Sequence, residues 1–185
     1  AAAVFSPSAG SFVNGARCVV CGRRFDPEYL NAAYVCPEHG DEGILDLDYN
    51  YEAAAPRFPA PEQPGLWRYR ALLPLPWTAP IPPLATGLTP LYEAPALARA
   101  ANCARVLVKD DTRQPTGSFK DRASGLAVAL ARVRRAPVVA TASTGNAAAA
   151  LAGMAAAMHQ ACVIFVPASA PPAKVAQLLA YGARV

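Results

Sequence analysis

Through residues 118–135, Phe119, Ala123, Leu126, Leu130 and Val133 recur at spacings of three and four, which predicts a helix with one apolar face. Pro137 stops it. The stretch VVATAS predicts a buried strand. Residues 146–158, nearly all alanine, predict a helix that a second element can approach closely, and ACVIFVP predicts another strand. A further helix opens on Pro171 or Pro172, runs to Tyr181 and ends at Gly182, and ARV then looks like the first residues of one more strand. Upstream, ALARAANC predicts a helix and residues 106–109 a short strand closed by two aspartates. Strands alternating with helices predict an α/β fold in which a parallel sheet is covered by helices. Ligands of such sheets gather at the carboxyl ends of strands, which selects two loops, DDTRQPTGSF and ASTGN.

The first half has no such rhythm. Residues 1–16 read as a flexible end and 17–50 as a compact polar module. Residues 51–95 form a Pro-rich connecting region, with a short helix over 66–73 bearing Trp67, Arg70 and Ala71, and 96–185 hold the α/β pattern. Hydrophobic residues make up 54% and charged residues 16%, a core-forming balance that excludes a disordered chain. The net charge of +4 is scattered apart from Arg132, Arg134 and Arg135 at a helix end. No basic stripe interleaves with aromatics, so no nucleic-acid partner is expected, whereas an anionic small molecule suits the charge. The beginning lacks the charged and apolar regions of a signal peptide, and His159 and Gln160 interrupt the long alanine-rich run. No membrane partner and a cytoplasmic location are therefore expected. His159 reads as a dipole partner or a core polar residue.

The first loop places Lys120 in the opening turn of its helix. Pro115, Thr116 and Gly117 form a turn, and Ser118 is a suitable N-cap. Free amides and the positive end of the dipole disfavour an ammonium there and should lower its pKa, as Schiff-base chemistry requires. Phe119 adds a flat apolar face. A surface lysine in a capped helix would carry the same pattern. In the second loop, Ser143, Thr144, Gly145 and Asn146 bring hydroxyls and amides to a helix N-terminus, an anion cradle. Ordinary capping by Ser143 or Thr144 would also explain them.

Cys18 and Cys21 form C-x2-C, and Cys36 and His39 form C-x2-H, the spacing of a zinc ribbon with a closed Cys3His set. Gly22 and Gly40 follow the two pairs, where tight turns need them. The bland alternative is three unrelated thiols and an imidazole in a small loop module. Cys103 and Cys162 sit in apolar settings and read as buried.

GLWRYRALLPL, TGLTPLYEAPALA, LVKDDTRQPTGSFKDRAS, ATASTGNAAAALAGMAAA and IFVPASAPPAKVAQLLAYGARV occur in that order. Together they resemble the pyridoxal-phosphate enzymes of the tryptophan-synthase-β fold, and within them the threonine synthase family. The resemblance implies that Lys120 carries the cofactor and shuttles protons, that Phe119 packs on its ring and that Asn146 bonds its O3′. It implies that Ser143, Thr144 and Gly145 cradle the substrate carboxylate. The implied reaction turns a phosphorylated amino acid, O-phospho-L-homoserine, and water into L-threonine and phosphate, in a homodimer when the chain is of full length. The alternatives are a threonine or serine dehydratase, a sulfonate-forming synthase, or a non-catalytic truncated relative. Leu84-Ala85-Thr86-Gly87-Leu88 replaces the family's usual acidic Gly-Glu-Gly, and Ala123 replaces a glycine after Lys-Asp-Arg, departures that bear on substrate choice. A tetraglycine-type loop for the cofactor phosphate is absent from the 185 residues, so weak cofactor retention and no turnover are expected of this chain alone.

Overall fold

The computed structural model describes residues 4–5 and 10–185, in two compact units. The first comprises Ala1–Gln63, Trp67–Pro80 and Arg132–Arg135, and the second Pro64–Leu66, Ile81–Ala131 and Ala136–Val185. The expectation for residues 1–3 and 6–9 lies outside the described residues.

The first unit is built on a four-stranded antiparallel sheet of β1 (Val13–Cys18), β2 (Arg24–Phe25), β3 (Val35–Cys36) and β4 (Gly40–Tyr49), in the order β2-β1-β4-β3. β1 therefore starts inside the stretch read as a flexible end. It is held there because Val13, Ala16 and Cys18 are buried while it pairs with β4 from Val13↔Tyr49 to Cys18↔Leu45. Gly15 has φ +140°, and a Cβ there would lie 2.6 Å from the Phe25 carbonyl oxygen, so β2 can close on β1 only across a glycine. α1 (Tyr51–Ala54) follows, its first turn capped by Asn50 Oδ1, which accepts from the Ala53 N–H at 3.0 Å.

A 3-10 helix, Gly65–Leu72, forms where a helix over 66–73 was expected, with Trp67, Arg70 and Ala71 buried. Among the described residues Arg70 meets no carboxylate. Its guanidinium donates to the Pro76 carbonyl at 3.2 Å and to that of Ala79, and it lies 5.9 Å from the Trp77 ring centre. Burial lowers its pKa.

In the second unit, β5 (Leu91–Glu93) precedes α2 (Pro95–Ala100) and β6 (Leu107–Lys109). α3 (Lys120–Val133), β7 (Val138–Ala142), α4 (Asn146–Ala157), β8 (Ala161–Phe165) and α5 (Pro172–Ala180) follow. β7 and β8 pair in parallel, Val138↔Ala161 through Ala142↔Phe165. The parallel sheet is smaller than expected, because β6 pairs antiparallel with β5, Leu91↔Lys109 through Glu93↔Leu107. Every residue of β6 is exposed, so it lacks the buried apolar run of a central parallel strand. The expected strand after Gly182 is one parallel bridge, Val163↔Arg184.

Val128, Leu151, Met154, Cys162, Ile164 and Leu178 centre the core of this unit, with α4 buried from Ala148 to Ala155. Cys162 is buried as expected, but Cys103 is exposed, because the turn after α2 carries it past the helix end. His159 is also exposed, at φ +50° just beyond α4, and so is no core residue. Among the described residues no helix is long and apolar enough to cross a membrane.

Candidate active site

The loop before α3 is fastened by polar side chains that the helical period does not reveal. Gly117, at φ +80°, makes the expected turn, its N–H donating to the Gln114 carbonyl at 2.8 Å. Buried Ser118 accepts the Lys120 N–H on its Oγ at 3.2 Å, the capping expected of it. Asp121 is fully buried. Its Oδ2 accepts the Thr116 N–H at 2.7 Å and its Oδ1 accepts the Thr116 hydroxyl.

Further back, Gln114 Oε1 accepts the Gly87 N–H at 3.0 Å, and Asp111 accepts the Thr89 hydroxyl at 2.8 Å. Arg122 donates two hydrogen bonds to the Asp111 carboxylate. The guanidinium beside Asp111, helped by the Thr89 hydroxyl, holds its carboxyl well below the usual carboxylate range.

Lys120 is half-buried and lines an open cavity of about 470 Å3. α3 contributes Ala123, Ser124 and Ala127 to its wall, β7 contributes Val139 to Thr141, and α4 contributes Ala147 and Leu151. Among the described residues, Nζ makes no hydrogen bond or ion pair and lies 4.8 Å from the centre of the Phe119 ring. Ala123, the departure noted above, is itself part of the wall. Phe119 and residues 143–146 are not. The cavity thus brings Lys120 to the residue that follows Asn146, rather than to the whole Ser-Thr-Gly-Asn loop.

In that loop the Ser143 N–H extends the pairing with β8 by donating to the Phe165 carbonyl at 3.1 Å. Ser143 Oγ accepts the Gly145 N–H at 3.2 Å. Gly145 is the N-cap of α4, and no side chain caps the helix. Neither Ser143 nor Thr144 serves as an ordinary cap, so among the described residues no side chain accepts from the first-turn amides.

In the first unit, the sulfur atoms of Cys18, Cys21 and Cys36 and a ring nitrogen of His39 all lie within 4.8 Å of one another. Cys36 Sγ and His39 Nδ1 are 3.6 Å apart. Ligands about 2.3 Å from a tetrahedral zinc ion sit about 3.8 Å from each other, so the donor set has the chemistry and the spread for zinc. Backbone N–H groups of Cys21 and Val20 aim at Cys18 and lower its pKa, favouring the thiolate a metal needs. Gly22 and Gly40 take the positive φ values that the two turns require, +73° and +52°.

The family model for pyridoxal-phosphate dependent enzymes matches residues 83–185. This chain belongs to that family. As a pyridoxal-phosphate family member it is 34% identical to threonine synthase of Methanocaldococcus jannaschii over 174 residues, 91% of this chain and 42% of the relative. It is 35% identical to threonine synthase of Methanosarcina acetivorans over 172 residues, 91% of this chain and 41% of that one. The chain thus spans about two fifths of the length of these curated relatives. Among solved structures, serine racemase from Dictyostelium discoideum superposes with a TM-score of 0.50 at 30% identity, covering 52% of this chain and 32% of that one.

Pyridoxal phosphate, the cofactor in the family's name, suits the cavity. Ligand pockets run from about 300 to 1,000 Å3 and are mostly apolar, and this one has alanine, valine and leucine walls suited to a flat ring beside one unpaired amine. The residues present fit the group. Asp121, Gln114 and Asp111, which fasten the lysine loop, were not singled out from the sequence, and Thr116 was read only as part of a turn. The one available signal was a carboxylate in the first turn of α3, and surface helices show the same.

Proposed function

We propose that the chain takes part in a threonine synthase-type reaction, converting O-phospho-L-homoserine and water to L-threonine and phosphate. The observation that carries the reading is Lys120, an unpaired amine on the wall of an apolar cavity that also includes the first turn of α4. Lys120 would hold pyridoxal phosphate, with Phe119 against its ring and Asn146 at its O3′. When bound, the cofactor supplies an electron sink for carbanion chemistry. Lys120 then serves as the mobile base, moving protons at Nζ. The uncapped amides of α4, with Ser143, Thr144 and Gly145, take the substrate carboxylate.

The similarity to both archaeal relatives covers 91% of the chain, well beyond the residues matched by the family model, and this supports threonine synthase over a dehydratase. We also assign a structural zinc ion to Cys18, Cys21, Cys36 and His39, a full four-ligand set with no open position for catalysis.

The test is to mix the chain with pyridoxal phosphate, reduce with borohydride and map the modified lysine by mass spectrometry. Selective modification of Lys120 over Lys109 and Lys174, lost in Lys120→Ala, is expected. Equal modification of all three lysines would refute the assignment. For the reaction, phosphate release from O-phospho-L-homoserine against 2-oxobutyrate formation from threonine is measured on a protein of the relatives' length carrying this segment. Formation of 2-oxobutyrate alone would identify a dehydratase.

A further inference from the structure

Asp121 is the residue after Lys120, yet it is fully buried and turned back to the loop, where both carboxylate oxygens accept from Thr116. Thr116 is itself seated on α4. A Cβ at Gly153 would lie 2.6 Å from Thr116 Cγ2, so the loop touches the helix only because residue 153 has no side chain. Gly153 lies on the same helix that begins at Asn146. A continuous set of contacts therefore runs from α4 through Gly153, Thr116 and Asp121 to the residue bearing the amine.

We propose that Asp121, Thr116 and Gly153 form a clasp that positions Lys120 relative to α4. The three are positioning residues. Asp121 fixes the start of α3 against the loop, and Gly153 fixes the loop against α4. The half-buried placement of Lys120 in the cavity follows from both. This deepens the functional reading above and rests on it for its purpose, but its test needs no cofactor.

The test is competitive acetylation of the folded chain with trace acetic anhydride. The rate at Lys120 is expressed as a ratio to that at Lys174 over a range of pH. Gly153→Ala drives Thr116 off the helix and away from Asp121, and the ratio should rise about fivefold as the amine is released toward solvent, the size expected when one Thr116–Asp121 hydrogen bond is lost. Thr116→Ser keeps the donors to Asp121 but removes the methyl that faces residue 153. It should leave the ratio within about twofold and, combined with Gly153→Ala, restore it.

A merely structural role would alter melting without changing the ratio between two lysines or its pH profile. Should Gly153→Ala fail to fold, Thr116→Val tests the same point, because it keeps the shape and loses the hydroxyl donor to Asp121, and the same rise is expected. An unchanged ratio in a folded Gly153→Ala or Thr116→Val chain, or no rescue in the double variant, overturns the clasp. Acetylation as stated, with no selective borohydride modification of Lys120, would keep the clasp and remove the reaction reading.

Discussion

Gly43→Ala tests the Cys/His cluster with one methyl group. A Cβ at residue 43 would lie 2.7 Å from Cys36 Cβ and 2.7 Å from His39 Cβ, the carbons that carry two of the four donors. Non-bonded carbons settle at about 3.5 to 4.0 Å, so relief requires a separation of about 0.8 Å on each side. Zinc–ligand distances tolerate only about 0.2 Å, and the two displacements push Cys36 and His39 in different directions. Gly43 is not at positive φ, so alanine brings crowding without backbone strain, unlike the same change at Gly40 with φ +52°. Overpacking of this kind costs about 1 to 3 kcal/mol, which converts to about a fivefold to 150-fold loss of zinc affinity. Competition against a chromogenic chelator measures the affinity, and the visible spectrum of the cobalt-substituted chain reports tetrahedral geometry. Equal zinc affinity and an unchanged cobalt spectrum in Gly43→Ala would refute the zinc assignment.

Two further outcomes concern charge and thiols. Asp111 has a lowered pKa in the fold, so its bond to Arg122 contributes fully above the unfolded value of about 3.9 and is lost as pH falls toward the folded one. The gap in unfolding free energy between the parent and Asp111→Asn, about 1 kcal/mol for this partly exposed pair, should be flat from about pH 7 to 5 and close below about pH 4; a gap that persists into acid would contradict this. Cys103 is exposed whereas burial pushes the Cys162 thiol up, so a disulfide reagent on the native chain should modify Cys103 at least about tenfold faster, and equal rates would show that β8 is not packed as described.

The two loops could be read from the sequence because their features are local. Gly117 gives its turn and Ser118 its cap, each within a few residues of the position it serves, whereas Gly145, and not Ser143 or Thr144, stands at the N-cap of α4. The alanine run of α4 likewise announced close packing. What the sequence hid is which partner each polar side chain takes, near or far along the chain. Asp121 looks like any carboxylate on a helix until Thr116 is seen to occupy both of its oxygens. The two oxygens of Asp111 find Thr89 and Arg122 from opposite directions along the chain. The strand at residues 106–109 was visible, but its partner was not, since a three-residue exposed strand has no pattern that names the edge it joins. Cys103 was misjudged because apolar neighbours in sequence say nothing of which way a helix-ending turn faces.

α4 has almost no polar side to mark which way it should face. Its rotation is therefore indexed by size alone: Leu151 and Met154 supply bulk, and Gly153 supplies the one notch. A helix set by volume turns as a unit when a volume changes. Enlarging residue 153 would press on Thr116, so the seat of the lysine loop is governed by a missing side chain two turns from the helix's opening amides.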